Sequence, residues 1–200
     1  MLKINKAAEP DFLKNYKKKY NPQNWDDYKN DNIKVELKKY IAYNEQKINE
    51  NNLCVYCERK IDIDNNDGHI EHIRPRDKFP QYFQEYNNLA VSCNSKNSCG
   101  NKKSGKYESK FISPIEENPE EFITYDEFTG EIIPKDERNK ERVEYTVEEV
   151  LNLNEYNLCR ARKIVLMELN KAKNYGYFEC ISDNYEEYYT LIEFYKKNFR

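Results

Sequence analysis

The chain has 200 residues, 38% hydrophobic and 34% charged, with a formal net charge of −3. That is enough for one domain, or for a small core with helical additions, and too acidic overall for the whole surface to act as a basic nucleic-acid-binding field. The 18 Tyr and 9 Phe supply bulky core material, and their helical spacing argues against disorder in so polar a chain.

Residues 1–30 mix Lys, Asn, Tyr and Pro around Trp25, the one strong anchor, and read as a loose wrapping of the core. The start, MLKINKAAEPDF, lacks the apolar segment and cleavage site of a secretory signal, and no run of about eighteen apolar residues is present to span a membrane. The expectation is a cytoplasmic protein without membrane contact. Its six cysteines then stay reduced and serve as metal ligands or core residues. A helix should follow the caps Asp31 and Asn32, with Ile33, Leu37, Tyr40, Ile41, Asn44 and Ile48 on one face, and end over residues 49–52.

Residues 53–105 carry the informative motifs. CVYC, holding Cys54 and Cys57, forms a tight turn and leads into a short strand around residues 59–62. The polar run NNDG (residues 65–68) signals a hairpin, and a second strand is expected over residues 69–73. An aromatic loop then reaches NNLAVSC, and a short helix beginning near Cys99 carries the lysines. Residues 111–145 are acidic and turn-rich and read as a surface excursion, with small strands near residues 122–125 and 131–133. Thr146 and Glu149 make a capping box for a longer helix with Leu158, Ala161, Val165, Leu166 and Leu169 on one stripe. A last helix is expected near residues 185–199. The chain divides into an N-terminal helical segment (1–52), a core (53–110), and the acidic excursion with C-terminal helices (111–200) packed on it as one domain.

Cys54 and Cys57 form one knuckle, and Cys93 and Cys99, spaced CNSKNSC, a second. Two pairs of thiolates delivered by two turns suit a tetrahedral structural zinc, although the second spacing is longer than the common one. Cys159 and Cys180 have no such partners and read as small buried hydrophobes. The only two histidines, His69 and His72, lie in GHIEHIRP beside Glu71. A carboxylate holds a hard cation through oxygen, and a neutral imidazole takes a proton from water near neutrality; phosphodiester hydrolysis needs both. The spacing fits neither HExxH of zinc proteases nor the HxE…PCxxC pattern of zinc deaminases. Lys96, Lys102, Lys103, Lys106 and Lys110 follow the cysteines as a local basic patch suited to phosphate.

The series CVYC, HIEHIRP, YNNLAVSC and CGNKK resembles the HNH (ββα-metal) endonuclease family, and more specifically the HNH subunit of Septu-type and retron-associated phage-defence systems; the likeness covers residues 54–105. It implies an α+β fold in which a ββα-metal core with a four-cysteine zinc clamp sits among mainly helical N- and C-terminal additions. It also implies a nuclease acting on nucleic acid, DNA rather than RNA, with an ABC/SMC-type ATPase as partner; the chain itself has no GxxxxGK[ST] loop. Glu71 is then a ligand of a catalytic Mg²⁺ or Mn²⁺, His72 the general base, and Asn88 (or Asn87) the residue that braces the loop carrying the base. The helix ligand of the family follows the last cysteine directly, which here is Gly100, so Asn101 is the residue assigned to that role. Lys103 is implied to contact phosphate, and Lys102, Lys106, Arg74 and Arg76 extend the nucleic-acid-binding set. The family often has Asp where this chain has Glu71, and His69 has no assigned part. The rival reading is a non-catalytic zinc-knuckle module that binds nucleic acid or protein and has no use for Glu71, His72 or Asn101.

Overall fold

The computed structural model describes residues 1–199. The N-terminal segment does not wrap loosely. Pro10 precedes helix α1 (Asp11–Tyr20), which has Asp11 in its first turn and Lys17, Lys18 and Lys19 in its last, each sign matching the helix dipole. Leu13 and Tyr16 point inward, and Tyr16 stacks on Tyr28, which stacks on Trp25. Leu2 and Ile4 are buried, with backbone bonds to Val55 and Pro114. Burial of these apolar side chains ties the segment to the core.

Helix α2 (Ile33–Glu45) follows, burying Ile33, Leu37 and Ile41. It stops short of Ile48, which lies instead in β1 (Lys47–Ile48), paired with β2 (Asn51–Asn52). Asn49 and Glu50 between them take left-handed backbone angles, so the turn ends the helical pattern.

The expected hairpin across NNDG is not formed. Residues 59–62 make only an isolated bridge, Lys60 to Leu53, because residues 63–66 close their own turn on Asp62 and Ile63. Gly68, at φ 91°, turns the chain into β3 (His69–His72), where a Cβ would come within 2.9 Å of Ile61. The partner of β3 is β4 (Leu89–Ser92), antiparallel, with His69 opposite Ser92 and His72 opposite Leu89. Helix α3 (Cys99–Lys103) comes next and carries Lys102 and Lys103 as expected.

The acidic stretch is more than a surface excursion. It delivers Phe111, Ile112, Ile123, Tyr125, Ile132 and Val143 to the core. Its strands β5 (Ile123–Tyr125) and β6 (Ile132–Pro134) pair antiparallel, close to their expected places. Thr146 does not open a helix: it lies in a π-helical turn that prolongs α4 (Lys140–Glu144), and its buried hydroxyl accepts from the Ile112 N–H. The long helix α5 (Tyr156–Asn174) is capped by Glu155, whose carboxylate takes the N–H groups of Asn157 and Leu158. The last expected helix is α7 (Tyr189–Phe199), and a further short helix, α6 (Phe178–Asp183), precedes it.

One cluster of buried side chains runs from Met1 through β4 to Tyr195, with Ile70 of β3 packed against it. Helix α7 is fastened to the first cysteine turn: buried Glu58 accepts from the N–H and hydroxyl of Thr190 at 2.7 and 2.5 Å. Among the described residues no helix is long and apolar enough to cross a membrane.

Candidate metal centre and active site

CVYC forms a turn in which the Glu58 N–H returns to the Cys54 carbonyl, and Glu58 takes a left-handed φ of 61°. Cys93 leaves the end of β4, and Cys99 starts α3. These turns bring the sulfurs of Cys54, Cys57, Cys93 and Cys99 within 4.8 Å of one another, all buried, so the longer second spacing is accommodated. Cys57 and Cys93 are 3.8 Å apart, the edge length of a tetrahedron with metal–sulfur bonds of about 2.3 Å. The Cys93 N–H donates to the Cys54 sulfur at 3.3 Å. Burial alone raises the Cys54 thiol, yet hydrogen bonds from the other three cysteines hold it well below the ordinary thiol range, while Cys57 and Cys99 are pushed up. Ligation needs thiolates, so an ion bound here would displace the protons these thiols share. The donor set fits a single soft metal ion. Cys159 is only half-buried and Cys180 is exposed, so neither is the fully buried hydrophobe expected.

Above this cluster a cleft is lined by His69, Glu71, His72, Pro75, Arg76, Gly100 and Lys103, among others. Alternation along β3 puts His69 and Glu71 on one face and His72 on the other. Glu71 is 6% exposed, and its Oε1 receives the Lys103 ammonium at 2.8 Å and the Tyr56 hydroxyl at 3.1 Å. Its Oε2 faces His69 Nε2 at 3.5 Å. Burial raises the Glu71 carboxyl, but His69 and Lys103 outweigh it and leave the group below its usual range, so it is ionised.

His72 packs edge-on against Trp25, ring centroids 4.6 Å apart, and its Nε2 lies 2.9 Å from the Phe83 carbonyl. A carbonyl only accepts, so Nε2 carries the hydrogen and Nδ1 keeps a lone pair. Burial lowers this imidazole to about 4, so it is neutral at physiological pH. Asn88, not Asn87, holds the surrounding loop. Its Oδ1 accepts from the Arg74 N–H at 2.8 Å, and its Nδ2 donates to the carbonyls of Arg74 and Tyr82 at 3.1 and 3.2 Å. Asn88 therefore clamps the segment after His72 to the residue beside the carbonyl that fixes the His72 ring; Asn87 is exposed.

The remaining assignments are rearranged. Asn101 is exposed and donates to the Ser95 carbonyl at 3.1 Å, away from Glu71. The position facing the strand is Gly100, and successive helical side chains diverge by roughly 100°, so position 101 looks outward. Lys103 is 1% exposed and committed to Glu71 and the His72 carbonyl, so it does not project a charge to an incoming phosphate. Lys106 donates to the Glu149 carbonyl and Arg74 pairs with Glu116, while Lys110 lies near Glu108 and Glu141. The run of lysines is thus dispersed by the fold. Arg76 and Lys102 are exposed, and of these Arg76 lines the cleft. Trp25 and Tyr56 were not legible as site residues, though Trp25 is the only tryptophan and Tyr56 sits inside CVYC.

Four clustered thiols that could hold a metal ion thus accompany a cleft that pairs an ionised carboxylate with a neutral imidazole. No protein-family model matches the chain. It is 35% identical over 56% of its residues to a Vibrio cholerae protein named as the presumed HNH endonuclease of retron Vc95. It is 36% identical over 36% of its residues to the Septu protein PtuB of Bacillus thuringiensis. A third relative, the presumed HNH endonuclease of retron Ec83 from Escherichia coli, is 26% identical over 86% of the chain. The chain spans 56% and 28% of the lengths of the first two. It resembles the HNH endonucleases of retron and Septu systems, as its motifs implied.

Proposed function

We propose that the chain is a metal-dependent endonuclease of the HNH type that hydrolyses phosphodiester bonds, in DNA by preference. The observation that carries this reading is the pairing, in one cleft, of ionised Glu71 with a neutral His72 whose tautomer is fixed by the Phe83 carbonyl and whose loop is pinned by Asn88. The β3–β4 pair and α3 around this cleft support a ββα-metal core, with the four cysteines holding a structural zinc.

His72 Nδ1 takes the proton of an attacking water, whose oxygen forms the new bond to phosphorus as the leaving oxygen departs. Burial and the Arg76 charge keep the free imidazole a weak base. A phosphodiester in the cleft adds negative charge beside the ring and pairs Arg76, both of which raise its proton affinity when the water is in place. Glu71 Oε2 is the oxygen that faces the cleft for a divalent ion, Mg²⁺ or Mn²⁺, since Oε1 is taken by Lys103 and Tyr56. Such an ion stabilises charge on the phosphoryl and leaving oxygens. Lys103 holds the carboxylate in place and ties it to the His72 backbone, which fixes ligand and base relative to each other. Arg76 and Lys102 are the exposed cations assigned to the nucleic-acid backbone.

The names of the relatives support a place in a retron- or Septu-type system; we assign the chain there as an antiphage nuclease effector, with an ABC/SMC-type ATPase as its partner. The test is incubation of zinc-loaded protein with duplex DNA, single-stranded DNA and RNA, with Mg²⁺ or Mn²⁺, alone and with the product of the neighbouring gene. Cleavage that requires the divalent ion is expected; no cleavage of any substrate under any of these conditions ends the reading.

A further inference from the structure

His69 has no role in the motif, yet it occupies the most chemically pointed position of the site. A Cβ built on Gly100 would lie 2.6 Å from Glu71 Oε2, 2.7 Å from His69 Nε2 and 3.0 Å from Ser92 Oγ. A side chain there would have to push these polar ends aside, and the absence of one leaves the carboxylate oxygen and the imidazole nitrogen facing each other at 3.5 Å. From the structure we propose that the divalent ion is held between His69 Nε2 and Glu71 Oε2, with Gly100 keeping the space clear, so that β3 supplies both protein ligands and α3 supplies none. This rests on the nuclease reading for what the ion does, though not for where it binds.

Three observations support the assignment. First, the tautomer of His69 is set by its surroundings. Asn94 Nδ2 donates to the Asn66 carbonyl at 3.4 Å, which turns Asn94 Oδ1 toward His69 Nδ1 at 3.2 Å. Oδ1 only accepts, so Nδ1 carries a hydrogen, and Nε2 is the nitrogen left toward Glu71 to hold either a proton or a cation. A ligating histidine is commonly oriented in this way, its other nitrogen donating to an amide or carboxylate oxygen. Second, that nitrogen faces an ionised carboxylate. Two acceptors at 3.5 Å repel unless a proton or a cation lies between them. Third, the spacing suits one ion. Donors with metal bonds of about 2.1 Å stand roughly 3.0 Å apart at right angles and 3.4 Å apart at tetrahedral angles. A movement of a few tenths of an ångström by the His69 side chain, which is 31% exposed, closes the difference.

The donor set also bears on which ion is bound. Mg²⁺ prefers oxygen and water, whereas an imidazole nitrogen favours Mn²⁺, Co²⁺ or Ni²⁺. The site should therefore select Mn²⁺ over Mg²⁺, and Mn²⁺ is a spectroscopic probe.

The experiment uses the whole chain with one zinc per molecule and titrates Mn²⁺ alone, read by the electron paramagnetic resonance of free ion and by nitrogen modulation of the bound ion's spin echo. Wild type is expected to bind one Mn²⁺ with a ¹⁴N coupling, and a large excess of Mg²⁺ should be needed to displace it. His69→Ala should weaken binding roughly tenfold or more and remove the coupling, while Asn101→Ala binds as wild type does. Gly100→Ala, checked for unchanged zinc content and circular dichroism, should block the site by filling it. Absence of Mn²⁺ binding in wild type, or an unaltered affinity and nitrogen coupling in His69→Ala, would overturn the proposal, as would loss of binding in Asn101→Ala. The two readings fail separately. Mn²⁺ held through His69 in a protein that never cuts nucleic acid ends the nuclease reading alone. Ion-dependent cleavage by a His69→Ala protein that still binds Mn²⁺ normally ends the ligand assignment alone.

Discussion

At the scale of single residues, the site depends on how three charged or basic groups are kept from neutralising one another's purpose. Lys103 occupies one oxygen of Glu71 and leaves the other facing the cleft. His72 is buried on Trp25 and kept neutral by that burial. This has a consequence for stability. The folded state holds the His72 imidazole at about 4, below its ordinary 6.5, so between those values the unfolded chain binds a proton that the folded chain does not. The contribution is fully present above pH 6.5 and is lost as pH falls toward 4. Zinc-loaded protein should lose about 2 kcal/mol more between pH 7 and pH 5 than a His72→Gln variant does, measured by urea unfolding. Parallel profiles for the two proteins would contradict a buried neutral His72. The motif around Glu71 and His72 was readable because the chain's only two histidines stand in it. The partnership of Lys103 with Glu71 was not, because a lysine among five nearby lysines carries no mark of burial.

At the scale of elements, β3 and β4 form a pair of only four residues each, and its outer edge needs cover. Gln46, fully buried after α2, provides it. Its Oε1 accepts from the Val91 N–H at 2.7 Å, and its Nε2 donates to the carbonyls of Leu53 and Val91 at 2.7 and 2.9 Å. Gln46→Leu keeps most of the volume but leaves the Val91 N–H unpaired. It should cost about 1–3 kcal/mol in chemical denaturation, whereas an unchanged midpoint would show that the edge does not depend on this side chain. No pattern in the sequence announces such a residue, since a glutamine at a helix end reads as solvated. The helix assignments show the complementary limit. The stripe of α5 was readable from Leu158 to Leu169, though not its start, whereas α3 spans five residues and gives no periodicity to fix its facing. Cys99 has a left-handed φ of 61°, so true helical geometry starts at Gly100, and it is Gly100 that meets the strand. The polar character of Asn101 pointed to a ligand; the geometry turns it to solvent. Likewise Thr146 and Glu149 satisfy a capping pattern inside an already continuing helical turn.

At the scale of the whole molecule, the cysteine cluster is the hub. Its first turn reaches α7 through Glu58 and Thr190, its second begins at the end of β4, and the Cys99 N–H donates to the Leu151 carbonyl. So polar a chain has a core that joins all these parts, and loss of the metal should loosen more than the turns themselves. Cys54→Ser is predicted to abolish the one equivalent of zinc and to lower the thermal midpoint sharply, because structural zinc sites contribute on the order of 10 kcal/mol to folding. Zinc content by elemental analysis together with a thermal scan checks this; unchanged values would remove the clamp from the account. The cysteine pairing was legible because spacing within a turn is a local property. The long-range closure by α7, 132 residues from Glu58, was not, because nothing in the apolar pattern of a terminal helix names the element it docks on.

The central claim is that Glu71 and His72 form a hydrolytic pair on a zinc-stabilised scaffold. The most direct test is single-turnover cleavage of nucleic acid by wild type and His72→Ala at saturating Mn²⁺, with zinc content and thermal midpoint measured on the same samples. Loss of a general base predicts a fall of roughly 10²–10⁴-fold in the cleavage rate at unchanged zinc content. A His72→Ala protein that cuts as fast as wild type would contradict the account.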